Sequence, residues 1–311
     1  MKLKSITDKI FKTDTEQLKG NGLFVTIEDL IAERRYAYQW QISKLDRFTT
    51  LRAGDVKSAF KGRGMEFEEI RAYSFGDDVR DIDWRVTARK QQPYTKLYTE
   101  EKDREVYVLL DLSPQMLFGT KKELKAVTAA KIAARIGWQS LKNKDRFGCL
   151  LYDGTAPVLF KADNSQANMM LIFNKIAQNS QKIINNPSMV SEEGYLRKSI
   201  NLLEKAVKHR AIVFIVSDFS DFSEETKKVM AMLAKKANVT CVNILDCLEQ
   251  QPPIAGEYMA QQAGQQLVFS SVSDSFREEY VRYFRDKHQQ LKNFCRRFQL
   301  KYIENSATDC E

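Results

Sequence analysis

Short apolar runs alternate with longer amphipathic stretches over the last two thirds of the chain. The runs at 106–112, 211–216 and 239–245 lack the polar alternation of a half-exposed strand, which is typical of parallel strands covered on both faces. The stretches with helical spacing of apolar residues lie at 121–141, 166–178, 195–208 and 224–236. This pattern predicts an α/β fold with a doubly wound, mostly parallel sheet.

Two hairpins and an edge strand complete the predicted α/β domain. Asp153-Gly154, a pair favoured in tight turns, separates predicted strands at 147–152 and 158–160. A second, smaller hairpin is predicted at 259–262 and 266–269, and residues 300–303 are expected to close the sheet.

The first hundred residues follow different patterns. Thr26 and Asp29 have the spacing of a capping box, which predicts a helix over 27–45. Residues 60–101 contain glycine, proline and many acidic residues, which indicates short strands and turns. We therefore divide the chain into an N-terminal helical extension (1–59), a small β-rich region (60–104) and an α/β domain (105–311).

Composition and the absence of certain motifs exclude several classes of protein for this chain. The chain has 5 cysteines with no C-x-x-C pair, which favours a reducing cytoplasm. No apolar run approaches the ~20 residues that a membrane-spanning helix needs, and no signal-peptide core is present. His209 and His288 are the only histidines, and neither lies in a nucleophile motif. Without a P-loop or dinucleotide fingerprint, we do not expect ATP or NAD to bind.

The net charge of +8 is concentrated near the C-terminus. A last helix is predicted from Asp274 to about Phe298, and residues 276–301 contain 8 basic and 3 acidic side chains. Its aromatic residues fall on one stripe with the basic residues largely outside it, which favours a core-packed helix with a solvated basic face. The alternative is a docking face for an acidic partner or nucleic acid; we do not expect nucleic acid as the partner.

Oxygen-bearing side chains follow two of the predicted buried strands. Asp111 and Ser113 end the first, and Asp218 follows the strand at 211–216. Ligands of open α/β sheets bind beyond the carboxyl ends of the strands. Hard oxygen ligands in this position suit hydrated Mg²⁺ or Mn²⁺. The alternative is that Asp111 and Asp218 cap helices and hold strand ends.

These residues resemble part of the metal-ion-dependent adhesion site of von Willebrand factor type A domains, which combines D-x-S-x-S with a threonine and a distant aspartate. Asp111, Ser113 and Asp218 match three of the five positions. Gln115 replaces the second serine, and no matching threonine is found. The resemblance implies a type A-like domain with a degenerate metal site.

A denser motif occupies residues 71–89. It resembles the signature R-x-Y-x-x-G-D-D-x-R-x-I-D-W-x-x-T-A-R of the bacterial family called domain of unknown function 58. The signature residues, with a lysine that follows them, are Arg71, Tyr73, Gly76, Asp77, Asp78, Arg80, Asp83, Trp84, Thr87, Arg89 and Lys96. Arginine and carboxylate pairs can fix a small, loop-rich region, and we favour this structural use over a catalytic one.

The family resemblance implies a small β-rich region joined to a type A-like domain that works with a MoxR-type AAA+ ATPase in assembling or maturing other proteins. We therefore predict a non-enzymatic protein-interaction module that binds such an ATPase and an unidentified client. The contact would lie at the Asp111 edge or in the signature region. The alternative is a metal-dependent hydrolase or nuclease acting on nucleic acid, because Glu66, Asp83 and Lys96 superficially match the carboxylates and lysine of metal-dependent nucleases.

Overall fold

The computed structural model describes residues 22–39, 65–74, 79–100, 104–186, 190–262 and 265–307. The chain forms two compact units, of which the smaller is residues 51–103 and the larger contains the rest.

Seven α-helices and ten β-strands occur among the described residues. The helices are α1 (Ile27–Ala32), α2 (Trp84–Lys90), α3 (Lys125–Lys142), α4 (Gln166–Ile184), α5 (Tyr195–Ala206), α6 (Glu224–Lys236) and α7 (Asp274–Arg297). The strands are β1 (Met65–Ala72), β2 (Tyr94–Glu100), β3 (Glu105–Asp111), β4 (Arg146–Tyr152), β5 (Pro157–Asp163), β6 (Ile212–Ser217), β7 (Asn238–Leu245), β8 (Glu257–Gln262), β9 (Gln265–Ser270) and β10 (Lys301–Ser306).

A six-stranded sheet forms the centre of the larger unit, and its spatial order is β10-β7-β6-β3-β4-β5. All neighbouring strands run parallel except β4 and β5, which form the predicted antiparallel hairpin. The strand order reverses between β3 and β6, the first and fourth strands of this sheet along the chain. Ligand sites of open α/β sheets lie at such a switch point.

Helices cover both faces of the sheet, which explains the continuous apolar runs in its strands. Val108 and Leu110 pack in one core with residues of α1, α3 and α4. Leu109, on the opposite face, packs in a second core with residues of α5, α6 and α7. The α/β fold and the mostly parallel sheet predicted from the sequence are confirmed, and so are the edge strand β10 and the small β8–β9 hairpin.

The N-terminal helix is shorter than predicted. The predicted capping box at Thr26 is present, but α1 ends at Ala32 and the chain continues as a 3₁₀ helix over Glu33–Gln39; residues 40–45 lie outside the described part. In a 3₁₀ helix side chains three residues apart lie on the same side. Arg135 of α3 contacts both Glu33, at 2.6 Å, and the ring of Tyr36.

The smaller unit contains an antiparallel pair of strands, β1 and β2, and the short helix α2. The two strands agree with the predicted strands and turns, whereas α2 was not predicted. Asp83 supplies the N-cap of α2, because its Oδ1 atom accepts hydrogen bonds from the backbone N–H groups of Arg85 and Val86 at 3.0 and 3.1 Å. An aspartate is a common N-cap residue, but the density of charged residues around Asp83 obscured this signal.

Helix α7 is only partly a core helix. Its C-terminal half buries Leu291, Phe294 and Cys295. In its N-terminal half the aromatic residues are half-buried, so the predicted core packing of the whole stripe is wrong for that half. Among the residues described, no helix combines the length and the apolar character needed to cross a membrane.

Candidate functional site

Asp111 ends strand β3 and is completely buried. Its Oδ1 atom accepts a hydrogen bond from the backbone N–H of Ser113 at 2.9 Å. Its Oδ2 atom accepts hydrogen bonds from the hydroxyl groups of Ser217 at 2.6 Å and Tyr195 at 2.9 Å. Because both oxygens already have donors, the carboxylate is held in one orientation at the switch point of the sheet.

The ionisation of Asp111 is perturbed by its surroundings. Burial raises the pKa of its carboxyl group to about 6, and the neighbouring carboxylate of Asp218 contributes to the rise. The hydrogen bonds from Ser217 and Ser113 act in the opposite direction. The group therefore changes its charge in mildly acidic solution, above the range of an ordinary aspartate.

Tyr195, the first residue of α5, contacts residues at or after the ends of three strands, which are β3, β4 and β6. Its buried ring stacks on that of Tyr152 at the end of β4, with centroids 4.6 Å apart and planes 13° apart. Its hydroxyl group lies 3.5 Å from the hydroxyl of Ser113 and 3.4 Å from that of Ser220, besides donating to Asp111. Burial and the charge of Asp111 raise the pKa of Tyr195, so the phenol stays protonated and remains a donor.

Asp218 follows β6 and faces a buried cation. The Nζ atom of Lys125 lies 3.4 Å from Oδ2 of Asp218 and 2.8 Å from Oε1 of Glu249. Burial opposes the ionisation of Asp218, but the positive charges of Lys125 and Lys287 outweigh that effect and lower the pKa of its carboxyl group. Asp218 is therefore ionised and paired within the protein.

Two further side-chain pairs fix the loops around this edge. The carboxylate of Asp246, beyond the end of β7, accepts hydrogen bonds from the backbone N–H of Thr120 at 3.0 Å and from its hydroxyl group at 2.9 Å. On the other side the hydroxyl of Ser191 donates to the side-chain oxygen of Gln115 at 2.7 Å. These pairs hold the loop after β3 to segments distant in the sequence.

The structure brings Asp111, Ser113 and Asp218 to the same edge of the sheet. Sequence reasoning did not identify three of the side chains that complete this edge, which are Lys125, Asp246 and Glu249. Tyr195 and Ser217 complete it with them. Lys125 lay inside the helix predicted over 121–141, whereas the helix in the structure begins at Lys125 itself. The three side chains became significant only through contacts between distant segments.

The donor set does not fit a divalent cation. Both oxygens of Asp111 accept hydrogen bonds, and Asp218 faces the ammonium group of Lys125. Mg²⁺ and Mn²⁺ prefer several open carboxylate, carbonyl or water oxygens. Among the described residues, no group of three or more histidine, cysteine, aspartate or glutamate side chains could hold a metal ion.

A groove with a cavity of about 990 Å³ lies beside Asp218, between residues 218–223 and α7. An aromatic row on α7 forms one wall. This row consists of Phe276, Tyr280, Phe284 and His288. Its members are four residues apart and therefore lie on one helix face, with neighbouring ring centroids 4.9 to 6.3 Å apart. Phe269 of β9 extends the row by stacking on Phe276 at 5.5 Å.

Acidic side chains predominate at the groove. Its charged lining residues are Asp218, Asp221, Glu279, Asp286, Arg282 and Lys287. Asn243 of β7 also lines it, and the side-chain oxygen of this buried residue has no hydrogen-bond partner among the described residues. The groove therefore combines an apolar wall with an acidic rim and a buried acceptor that lacks a donor.

In the smaller unit, the signature residues Asp83 and Thr87 have structural contacts. Asp83 caps α2, and the hydroxyl oxygen of Thr87 accepts a hydrogen bond from the backbone N–H of Tyr94 at 3.0 Å. Arg71 donates to the hydroxyl of Ser74 at 3.1 Å. The Thr87 contact joins α2 to β2, whereas the contacts of Asp83 and Arg71 are local.

Other signature residues lie at the surface or outside the described part. The side chain of Trp84 is 67% exposed, and Arg80 and Arg89 are also exposed, whereas Tyr73 is half-buried. Lys96 lies in β2, opposite Ile70 in the strand register. Gly76, Asp77 and Asp78 lie outside the described residues.

The fold and this edge define a mixed α/β protein with a polar network at the switch point of its sheet. The model of the family "Protein of unknown function DUF58" matches residues 69–290. The chain belongs to this family.

Similar proteins include the uncharacterized proteins Rv1480 of Mycobacterium tuberculosis and Mb1516 of Mycobacterium bovis. Each is 28% identical over 230 residues, covering 74% of this chain and 70% of the relative. Among solved structures, the conserved hypothetical protein BatB from Bacteroides thetaiotaomicron matches with 15% identity and a TM-score of 0.40, covering 66% of this chain and 91% of that one. An aerotolerance-related membrane protein from Bacteroides fragilis matches with 12% identity and the same TM-score, over 65% and 91% of the two chains.

Proposed function

We propose that this chain is a non-enzymatic protein-interaction module that works with a MoxR-type AAA+ ATPase in the assembly or maturation of client proteins. In this proposal the larger unit is of the von Willebrand factor type A-like class and has lost the metal of that class. The observation that carries the proposal is the aromatic groove beside a polar edge whose carboxylates are hydrogen-bonded or ion-paired within the chain.

The groove has the properties of a protein-binding surface. The half-buried rings of Tyr280 and Phe284 line a cavity of about 990 Å³, and Tyr283 beside them is 65% exposed. Exposed apolar patches rimmed by polar residues mark interaction sites, and aromatic side chains contribute most to interface affinity. A segment of the partner would bury these rings.

The polar edge supports binding rather than catalysis. Asp111 already accepts three hydrogen bonds, and Asp218 is paired with Lys125. A general base must reach a proton on its substrate, and a nucleophile needs an adjacent base. Asp83, which the hydrolase alternative requires, accepts backbone hydrogen bonds as the cap of α2. Among the described side chains, no contact favours that alternative.

The test measures binding of the purified chain to a purified MoxR-type ATPase from the same organism. Phe284→Ala removes a ring from the groove and should weaken binding at least about tenfold, the effect expected of an interface hot spot. The control is Leu171→Ala, since Leu171 is 56% exposed on α4 and outside the groove. Its affinity should equal that of the wild type.

Two results would contradict the proposal. One is an ATPase affinity that both variants leave unchanged. The other is the absence of ATPase binding together with Mg²⁺-dependent phosphodiester cleavage that is lost in Asp83→Ala.

A further inference from the structure

Lys125 lies where a positive charge is locally unfavourable. It is the first residue of α3 and only 2% exposed. The N-terminus of a helix carries a partial positive charge, so an ammonium group there is destabilised by the helix and by its removal from water. A lysine is kept in such a place only if other groups compensate both costs.

The compensating groups come from segments that are distant in the sequence. Asp218 follows β6, and Glu249 belongs to the short 3₁₀ helix Cys247–Glu249 after β7. The Nζ atom of Lys125 lies 2.8 Å from Glu249 and 3.4 Å from Asp218, and the ring of Phe118 lies 5.6 Å from it. One ammonium group therefore ties the ends of β6 and β7 to the start of α3.

We infer that the ammonium group of Lys125 is the resident cation of this sheet edge and takes the charge-balancing role of a divalent metal. The edge is then complete at any concentration of Mg²⁺ or Mn²⁺. A divalent ion at Asp218 would compete with Lys125 for the same carboxylate and would be repelled by it. The inference concerns the isolated chain and holds whether or not the proposed ATPase partner binds.

The first experiment measures the melting temperature of the wild-type chain in EDTA, MgCl₂ or MnCl₂. A site with a dissociation constant of ~50 μM would raise the melting temperature by roughly 5 °C at ~5 mM metal. We expect a change below about 1 °C, which is the response of a protein without such a site. A metal-induced rise that Asp218→Asn abolishes would overturn the inference.

The second experiment removes the resident cation. Lys125→Ala leaves Asp218 and Glu249 without their buried counter-ion and should lower the melting temperature. Propylammonium, which restores the missing group, or Mn²⁺ should then raise it by several degrees at ~20 mM, by mass action on the vacated site. Tetramethylammonium, which cannot donate a hydrogen bond, is the control ion.

Lys131→Ala is the matched control variant, since Lys131 lies on the same helix and pairs with Glu123 at a more exposed position. It should not respond to either cation. If Lys125→Ala does not fold on expression, its refolding yield with and without propylammonium replaces the melting temperature. A Lys125→Ala protein that neither cation stabilises or refolds would overturn the inference. That outcome would leave the proposal of ATPase binding untouched, because these measurements use the chain without a partner.

Discussion

The polar edge at Asp111 and the aromatic groove lie beside each other but differ in how far the protein itself contacts their side chains. At the edge, Tyr195, Ser217 and the backbone of Ser113 satisfy a buried carboxylate. In the groove, half-buried rings face a cavity of about 990 Å³, and a buried acceptor of Asn243 lacks a donor. The difference indicates that the edge stabilises the fold and that the groove is available to a ligand.

Asp218 belongs to both regions. It pairs with Lys125 on the side of the edge and lines the groove on the other. Hydrogen bonds between buried polar groups favour a single conformation of the groups they join. The edge can therefore hold one wall of the groove rigid, which lowers the entropic cost of binding a partner.

The largest expected effect is the difference in stability between two tyrosine-to-alanine variants. Tyr195→Ala removes a buried ring, its stacking on Tyr152 and a donor to Asp111, and should lower the free energy of unfolding by about 3–5 kcal/mol. Tyr280→Ala, in the half-buried aromatic row, should cost about 1 kcal/mol. Urea unfolding measures both values.

Similar losses in these two variants would contradict the assignment of the edge to stability and the groove to binding. So would a larger loss in Tyr280→Ala. Tyr283→Ala, at a 65% exposed position on the same helix, shows the baseline for a surface tyrosine.

The sequence predicted the sheet because burial on both faces leaves continuous apolar runs in β3, β6 and β7. It also placed Asp111 and Asp218 at one edge, because the carboxyl ends of parallel strands lie together. It did not predict α2, whose capping residue lies within a dense run of charges. Local patterns are sufficient for elements that are strongly apolar or strongly periodic.

The identity of the side chains that form the site depends on contacts between distant segments, which no local pattern encodes. Lys125 and Asp218 are 93 residues apart, and Tyr195 is 84 residues from Asp111. Helical spacing correctly aligned the aromatic residues of α7 but could not show that Phe284 faces a cavity whereas Phe294 is buried in the core. That distinction depends on where residues 218–223 and β9 pack.

The second largest expected effect is a pH dependence of the free energy of unfolding that arises from Asp111. The folded state raises the pKa of this carboxyl group from 3.8 to about 6, so the folded chain binds more protons than the unfolded chain between these values. Its contribution to stability is therefore greatest in acid and decreases as the pH rises through about 6. Asp111→Asn removes this contribution.

Urea unfolding at two pH values isolates the effect. The stability of the wild type relative to Asp111→Asn should fall by about 2 kcal/mol between pH ~4.5 and ~7. Asp163→Asn, at an exposed position, is the control and should show no such fall. An Asp111→Asn protein with the same pH profile as the wild type would show that Asp111 does not titrate in this range.

The smallest expected change in stability is that of Phe284→Ala, which should also reduce the binding of an apolar dye. Phe284→Ala shortens the aromatic row at a half-buried position and should lower the free energy of unfolding by about 1 kcal/mol or less. The dye ANS binds exposed apolar surface, and its fluorescence with the wild type should fall at least about twofold in this variant. Leu171→Ala, an exposed position outside the groove, should leave the fluorescence unchanged. Equal dye binding by all three proteins would mean that the groove does not accept apolar ligands. The groove and the Asp111 edge would then differ in shape but not in their ability to bind a ligand.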